Sequence, residues 1–333
     1  MELEKKGTMS EWLSTGLFEF SHHMIYQPST LSLIGDIDPG SLEKDFCLFD
    51  KNFHNFLFPL PHWFYSWFLS REIQARTRLN ESWLKNRDPR NPSKLHQARL
   101  TLLDNHSDWL TNGDYGAFLT AFLWVSLGNT IPGVFWSLFY ILQDTKALET
   151  IRQEINTHLP HFPLYLDSND SSIEDWTPEQ LDACVYLESA INETLRLVGA
   201  PFMIRKCIRP TEINLQDGRT ITVKTGENLA WFGAAGHYDE NLFPQPRNFV
   251  FDRFLNKKAD NVVGYMPFGA GKSMCPGRFF AKYEIKTCLA MLLRYMDYKL
   301  PDTETIPSPK RARVGFGVAP PNKDVPILYR FRT

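Results

Sequence analysis

The stretch GYMPFGAGKSMCPGRFFAKYEIK, Gly264 to Lys286, sets one thiol, Cys275, among glycines and prolines just before a helical pattern begins. Gly269, Gly271 and Gly277 allow a tight loop that a flat ligand can approach closely. Pro276 suits the first position of the helix that follows. Unpaired N–H groups at a helix start carry partial positive charge, which favours a thiolate. A thiolate so held is a ligand for a soft or borderline metal centre. The same residues also suit an inert cysteine buried in a glycine-rich loop, so the loop alone leaves both readings open.

Two other groupings carry chemistry. Glu193 and Arg196 in NETLRL lie three apart, on one face of a helix. As an exposed ion pair they contribute little. With Arg253 of FPQPRNFVFDRF they could instead form a buried triad. The run Ser126-Leu127-Gly128-Asn129-Thr130 places a hydroxyl and an amide in the middle of a long apolar segment. Pro132, two residues on, removes a backbone donor and distorts the helix there.

The elements that must position these groups are mostly helical. Residues 1–110 contain amphipathic pieces such as EWLSTGLFEF and EIQARTRLNESWLKNR, and 115–158 reads as one very long helix. TPEQ, Thr177 to Gln180, is a capping box with proline at the first helical position. The helix it opens carries Cys184, Leu187, Ile191, Leu195 and Val198 on one face. TEINLQDGRTITVKTGENLAWFG alternates around Asp217-Gly218, a hairpin signal. Residues 236–272 show no period and read as a long ordered loop. The last helix runs from about Pro276 to Met296, with Ala281, Ile285, Cys288, Leu289, Leu292 and Leu293 inward. The tail reads as short strands about a Gly/Pro turn. The fold class expected is mainly α with a small β-sheet region, in one domain over 1–333.

Composition narrows the partners. With 43% hydrophobic residues among 333, the chain builds a core and is not disordered. A net charge of -2 gives no reason to expect nucleic acid. Five cysteines without CxxC spacing speak against a disulfide framework or structural zinc, and for a reducing compartment. The N-terminus has no signal-peptide core. From Tyr115 to Thr145 the one charged residue is Asp144, so that run is long enough to span a bilayer, for which about 20 apolar residues suffice.

Phe268, Gly271, Cys275 and Gly277 fit F-x-x-G-x-x-x-C-x-G, which resembles the haem-binding loop of the cytochrome P-450 family. The resemblance implies Cys275 as axial ligand of haem b iron, with Phe268, Gly271 and Gly277 shaping the loop around the sulfur. It implies that Glu193, Arg196 and Arg253 are that family's structural triad. It aligns Ser126–Thr130 with the oxygen-site consensus of the long helix, so Thr130 and Asn129 are the expected catalytic pair. Asn129 stands where an acid is usual, and an amide positions water but does not relay protons as a carboxylate does. Arg205 in APFMIRK and His237 in GHYDENLFPQP match positions that meet haem propionates, whereas Ser273 replaces a usual Arg or His.

SLGNTIPGVFW and RVGFGVAPP resemble the sterol 7α-hydroxylase branch, most of all its oxysterol (24-hydroxycholesterol) 7α-hydroxylases; the branch also includes sterol 12α-hydroxylase and prostacyclin synthase. That implies a monooxygenase acting on a sterol or oxysterol, with electrons from NADPH through NADPH–cytochrome P-450 reductase. Trp124, Phe202 and Phe316 are candidate substrate contacts, although aromatics are more often plain core. Nothing in the chain matches the family's membrane anchor, proline-rich hinge, N-terminal β-rich part or W-x-x-x-R helix, so an N-terminally incomplete domain is expected. Full-length relatives are expected at the endoplasmic reticulum membrane. A prostacyclin-synthase-like isomerase and a truncated non-catalytic isoform are the alternatives.

Overall fold

The structure is a computed structural model that describes residues 11–57, 61–161, 175–215, 217–301 and 307–332. The N-terminal segment read above as lacking a signal core falls largely outside them. Among the described residues the helices are α1 (Leu17–Ile34), α2 (Gly40–Asn52), α3 (His62–Phe68), α4 (Ser70–Lys85), α5 (Lys94–Asp104), α6 (Asn112–Leu127), α7 (Thr130–Gln143), α8 (Thr145–His158), α9 (Pro178–Asp182), α10 (Val185–Val198), α11 (Gly233–His237) and α12 (Arg278–Tyr295). The strands are β1 (Leu13–Gly16), β2 (Phe202–Lys206), β3 (Thr211–Asn214), β4 (Thr220–Val223), β5 (Asn228–Phe232), β6 (Met296–Lys299) and β7 (Pro326–Phe331). The fold is therefore mainly α with small antiparallel sheets.

Helix α7 is the centre. Nearly every side chain from Thr130 to Phe139 is buried, because α1, α10 and α12 pack against it. The Trp136 indole, wholly buried, donates to the Ala319 carbonyl at 2.8 Å. The 32-residue stretch Asn112–Gln143 is long and apolar enough to cross a membrane, yet 61% of its window is buried inside the fold. Its apolarity is that of a core element wrapped by other helices.

The expected single helix over 115–158 is instead three. Pro132 cannot donate to the Gly128 carbonyl, and α6 ends at Leu127 while α7 restarts at Thr130. Asp144 then caps α8, its carboxylate accepting from Ala147 N at 3.0 Å. The capping box at Thr177 and Gln180 forms with both reciprocal bonds, but it opens only the short α9. A break at Ala183-Cys184 starts α10 anew. Leu13–Gly16, part of the amphipathic piece EWLSTGLFEF, is a strand rather than a helix. It pairs with β7, which also pairs with β6, and Asp324 accepts from the backbone N–H of Phe18 where α1 begins. Tertiary pairing overrides local pattern there. The hairpin about Gly218 joins β3 to β4, while β5 returns to β2 in the register Phe202↔Phe232.

Candidate active site

Cys275 lies three residues before α12 and is exposed, with a free thiol. Its N–H donates to the Phe268 carbonyl at 3.0 Å, closing the loop on itself. Gly269 and Gly271 take φ of +76° and +69°, conformations that glycine adopts without strain. Phe268 packs against the main core and anchors the loop's near side. At Gly277 an added Cβ would stand 3.9 Å from the sulfur.

Three elements are linked in series from this loop. β2 runs alongside it, with Met203 beside Gly269 and the Arg205 guanidinium reaching the Ala270 carbonyl at 3.5 Å. The Phe202 N–H donates to Gly315 at 3.0 Å, joining β2 to the segment 315–318. That segment is tied to the helix break, since Asn129 Oδ1 accepts from Val318 N at 2.9 Å. The amide of Asn129 is thus a brace between the α6–α7 break and the wall that carries Phe316.

At the break, the buried Thr130 hydroxyl donates to the Ser126 carbonyl at 2.8 Å. It also hydrogen-bonds Glu284 of α12, whose Oε1 accepts from Ser29 of α1. Burial lifts the Glu284 carboxyl to about 7, the two hydroxyl bonds opposing the shift. Glu284 Oε2 is enclosed and has no hydrogen-bond partner. Sequence reasoning missed Glu284. The available signal was an acid next to Ile285 on the inward stripe of the last helix.

Glu193, Arg196 and Arg253 come together. Arg196 meets both oxygens of Glu193, at 2.8 and 2.9 Å, and Arg253 Nε lies 3.0 and 2.9 Å from the same pair. Arg196 also donates to the carbonyls of His237 (2.6 Å) and Pro246 (2.7 Å), while Arg253 donates to that of Pro244 at 2.7 Å. Both guanidiniums therefore stitch the irregular segment 237–253 to α10. His237 is wholly buried, its Nδ1 at 3.0 Å from the Gly199 carbonyl and its Nε2 accepting from Met266 N at 2.9 Å. Burial pushes its imidazole down to about 4, so it stays neutral. No ring nitrogen is left for the propionate contact expected of it. The bridge instead fixes Met266, two residues before Phe268.

Of the expected substrate contacts, Phe202 and Phe316 are 48% and 40% exposed, Phe202 on β2 beside the thiol loop and Phe316 on the segment bonded to β2. Trp124 is engaged elsewhere. It stacks on Phe53 with ring centroids 3.6 Å apart, and its indole donates to Asp50 at 2.8 Å.

Residues 7–327 match the sequence profile of the family described as Cytochrome P-450. The chain belongs to the cytochrome P-450 family. It is similar to cytochrome P-450 7A1 of Oryctolagus cuniculus, at 31% identity over 96% of this chain and 67% of the relative. Cholesterol 7-alpha-monooxygenase of Cricetulus griseus is 30% identical, over 98% and 68%. 25-hydroxycholesterol 7-alpha-hydroxylase of Rattus norvegicus is 29% identical, over 98% and 81%. The chain spans about two thirds of the length of the first two.

Cytochromes P-450 carry haem iron, and the residues here fit that group. An accessible thiol without a disulfide partner stands on a glycine loop with room beside it: a Cβ added at Gly271 would meet nothing within 4 Å. Phe202 and Phe232 on β2 and β5, Phe279 and Phe280 at the start of α12, and Phe316 are all at least 40% exposed.

Proposed function

We propose that this cytochrome P-450 is a haem-thiolate monooxygenase that hydroxylates a sterol or oxysterol, of the 7α-hydroxylase type. One observation carries the reading: Cys275 is a free, exposed thiol on a left-handed glycine loop framed by exposed aromatic side chains. Bound haem supplies the redox chemistry that inserts one atom of O₂ into a substrate C–H bond, the other atom leaving as water, with electrons from NADPH passed on by a reductase.

The chain's own residues do the rest. Cys275 donates its sulfur to the iron, and the Glu193–Arg196–Arg253 cluster with His237 holds the backbone that leads into its loop. Arg205, exposed beside Ala270, pairs with an anionic edge of the macrocycle. Thr130 presents a hydroxyl whose proton is replenished from Glu284, a carboxyl protonated near neutral pH and in contact with it. That assignment answers the absence of an acid at position 129, where the amide braces the wall instead. Phe202 and Phe316 offer flat apolar surface to a rigid ring system. Names of the similar proteins, cholesterol and 25-hydroxycholesterol 7α-hydroxylases, support a sterol ring system as substrate. The same reading places the protein at the endoplasmic reticulum membrane.

The test is spectroscopic and then chemical. The haem-loaded, reduced chain is expected to give the carbon monoxide Soret band of thiolate-ligated haem, and Cys275→Ala to lose it. Sterol and oxysterol turnover with NADPH and reductase follows. An unchanged thiolate band in Cys275→Ala sinks the ligand assignment. A thiolate band without NADPH-dependent sterol oxidation sinks the monooxygenase reading.

A further inference from the structure

A second cluster of ligating side chains lies away from the thiol loop, where α1 meets α2. His22 and His23 are adjacent on α1, and Glu43 projects from the first turn of α2. Both imidazole Nδ1 atoms converge on one carboxylate oxygen, His22 at 3.1 Å and His23 at 3.0 Å from Glu43 Oε1. The three donor groups all lie within 4.8 Å of one another. Tetrahedral zinc holds nitrogen and oxygen ligands at about 2.0–2.2 Å, which spaces neighbouring ligand atoms by roughly 3.3–3.5 Å. The two nitrogen-to-oxygen separations are a few tenths of an ångström shorter and the two nitrogens lie within 4.8 Å of each other, so small side-chain rotations open a slot of that size.

The surroundings favour such a slot. The His22 ring is stacked on Tyr26, with centroids 5.3 Å apart and planes 13° from parallel. Its other nitrogen, Nε2, lies 3.2 Å from Cys47 Sγ, one turn beyond Glu43 on α2. A ligating histidine is ordinarily held in this way, its outer ring nitrogen engaged so that the inner lone pair points at the metal. His22 and Glu43 side chains are each 13% exposed while His23 is 54% exposed, so the slot has two inner walls and an open side for metal entry and for a water ligand. Two imidazoles and one carboxylate are donors that zinc accepts.

We propose that His22, His23 and Glu43 form a divalent transition-metal site, with zinc as its occupant, that clamps α1 to α2. The haem iron plays no part in it. His22 also lines a small cavity with Asp50, Gly128 and Pro132, so the clamp fixes one wall beside the α6–α7 break.

The test uses the haem-loaded chain, stripped of loose metal and titrated with zinc. Zinc and iron are counted by mass spectrometry, and the zinc shell is read by X-ray absorption. Wild type and a His106→Ala control are expected to bind one zinc per chain with nitrogen and oxygen ligands. His23→Ala and Glu43→Gln are expected to lose at least about tenfold in affinity, the scale that disturbing even an outer partner of a metal ligand produces. His23 is half exposed, so its replacement leaves the fold intact and decides the matter should Glu43→Gln fail to fold. Equal zinc affinity in wild type and His23→Ala overturns the proposal, as does an oxygen-only shell.

Discussion

Replacing Arg196 by methionine removes the donor that joins α10 to the segment leading into the thiol loop. The side chain is fully buried and gives two hydrogen bonds to Glu193 and others to the carbonyls of His237, Pro246 and Asn248. Methionine fills the stem's volume and donates nothing. Breaking a buried ion pair from one side costs about 3–5 kcal/mol. Arg253 stays against Glu193, so the carboxylate keeps one cation and the cost sits near the lower figure. The His237 and Pro246 carbonyls each lose a close donor, at about 1 kcal/mol or more apiece. The sum is about 5 kcal/mol, comparable with the lower end of the roughly 5–15 kcal/mol that holds a domain folded. Arg253→Met is expected to cost about half as much, because Arg253 is partly solvated and Arg196 remains. A Glu193→Leu/Arg196→Met double variant is not rescued, since the backbone carbonyls stay without donors. Urea unfolding followed by circular dichroism and tryptophan fluorescence measures these changes, with haem content as a second readout. If Arg196→Met unfolds within about 1 kcal/mol of the parent, the stitching argument is wrong.

Other predictions concern the α6–α7 break and the pH profile. The Glu284 carboxyl is raised to about 7 in the folded chain from an ordinary 4.5. Its contribution to stability is full below 4.5 and is lost as pH rises through 7. His237 has the opposite sign: lowered to about 4 from 6.5, its contribution is present above 6.5 and lost as pH falls toward 4. Glu284→Gln removes the first slope, so the variant's stability is expected to climb more steeply than the parent's between about pH 4.5 and 7; parallel denaturation profiles would contradict the burial of that carboxyl. Asn129→Ala strips the acceptor from Val318 N–H and is expected to cost about 1–2 kcal/mol, while Asn129→Asp, which keeps an oxygen there, costs less. Equal losses in the two, by thermal unfolding, would show that the brace is not what position 129 contributes.

What could be read without coordinates follows from how locally each feature is encoded. The thiol loop is legible because glycine, proline and cysteine at fixed spacing specify a backbone path almost alone. Thr177 and Gln180 are legible because a capping box is closed within four residues. Arg253 reaches Glu193 from sixty positions away, and only a family pattern connects them. The strand at Leu13 is invisible locally, since its partner β7 begins at Pro326. The double break in 115–158 is half legible: Pro132 announces a distortion, but not that the helix ends outright at Leu127. Glu284 could not be recognised as buried beside Thr130 until α1, α7 and α12 were packed together. His237 looked like a ligand for an anion because a histidine in a loop shows no sign of which backbone groups will surround it.

The hydrogen bond from Val318 to Asn129 has a mechanical consequence. Through it, and through the Phe202–Gly315 bond next along, strand β2, the 315–318 segment and the α6–α7 break share one linkage. A displacement of the Phe316 segment would therefore pull on the bend at Asn129-Thr130, so that strain applied at one end of the linkage is felt at the other.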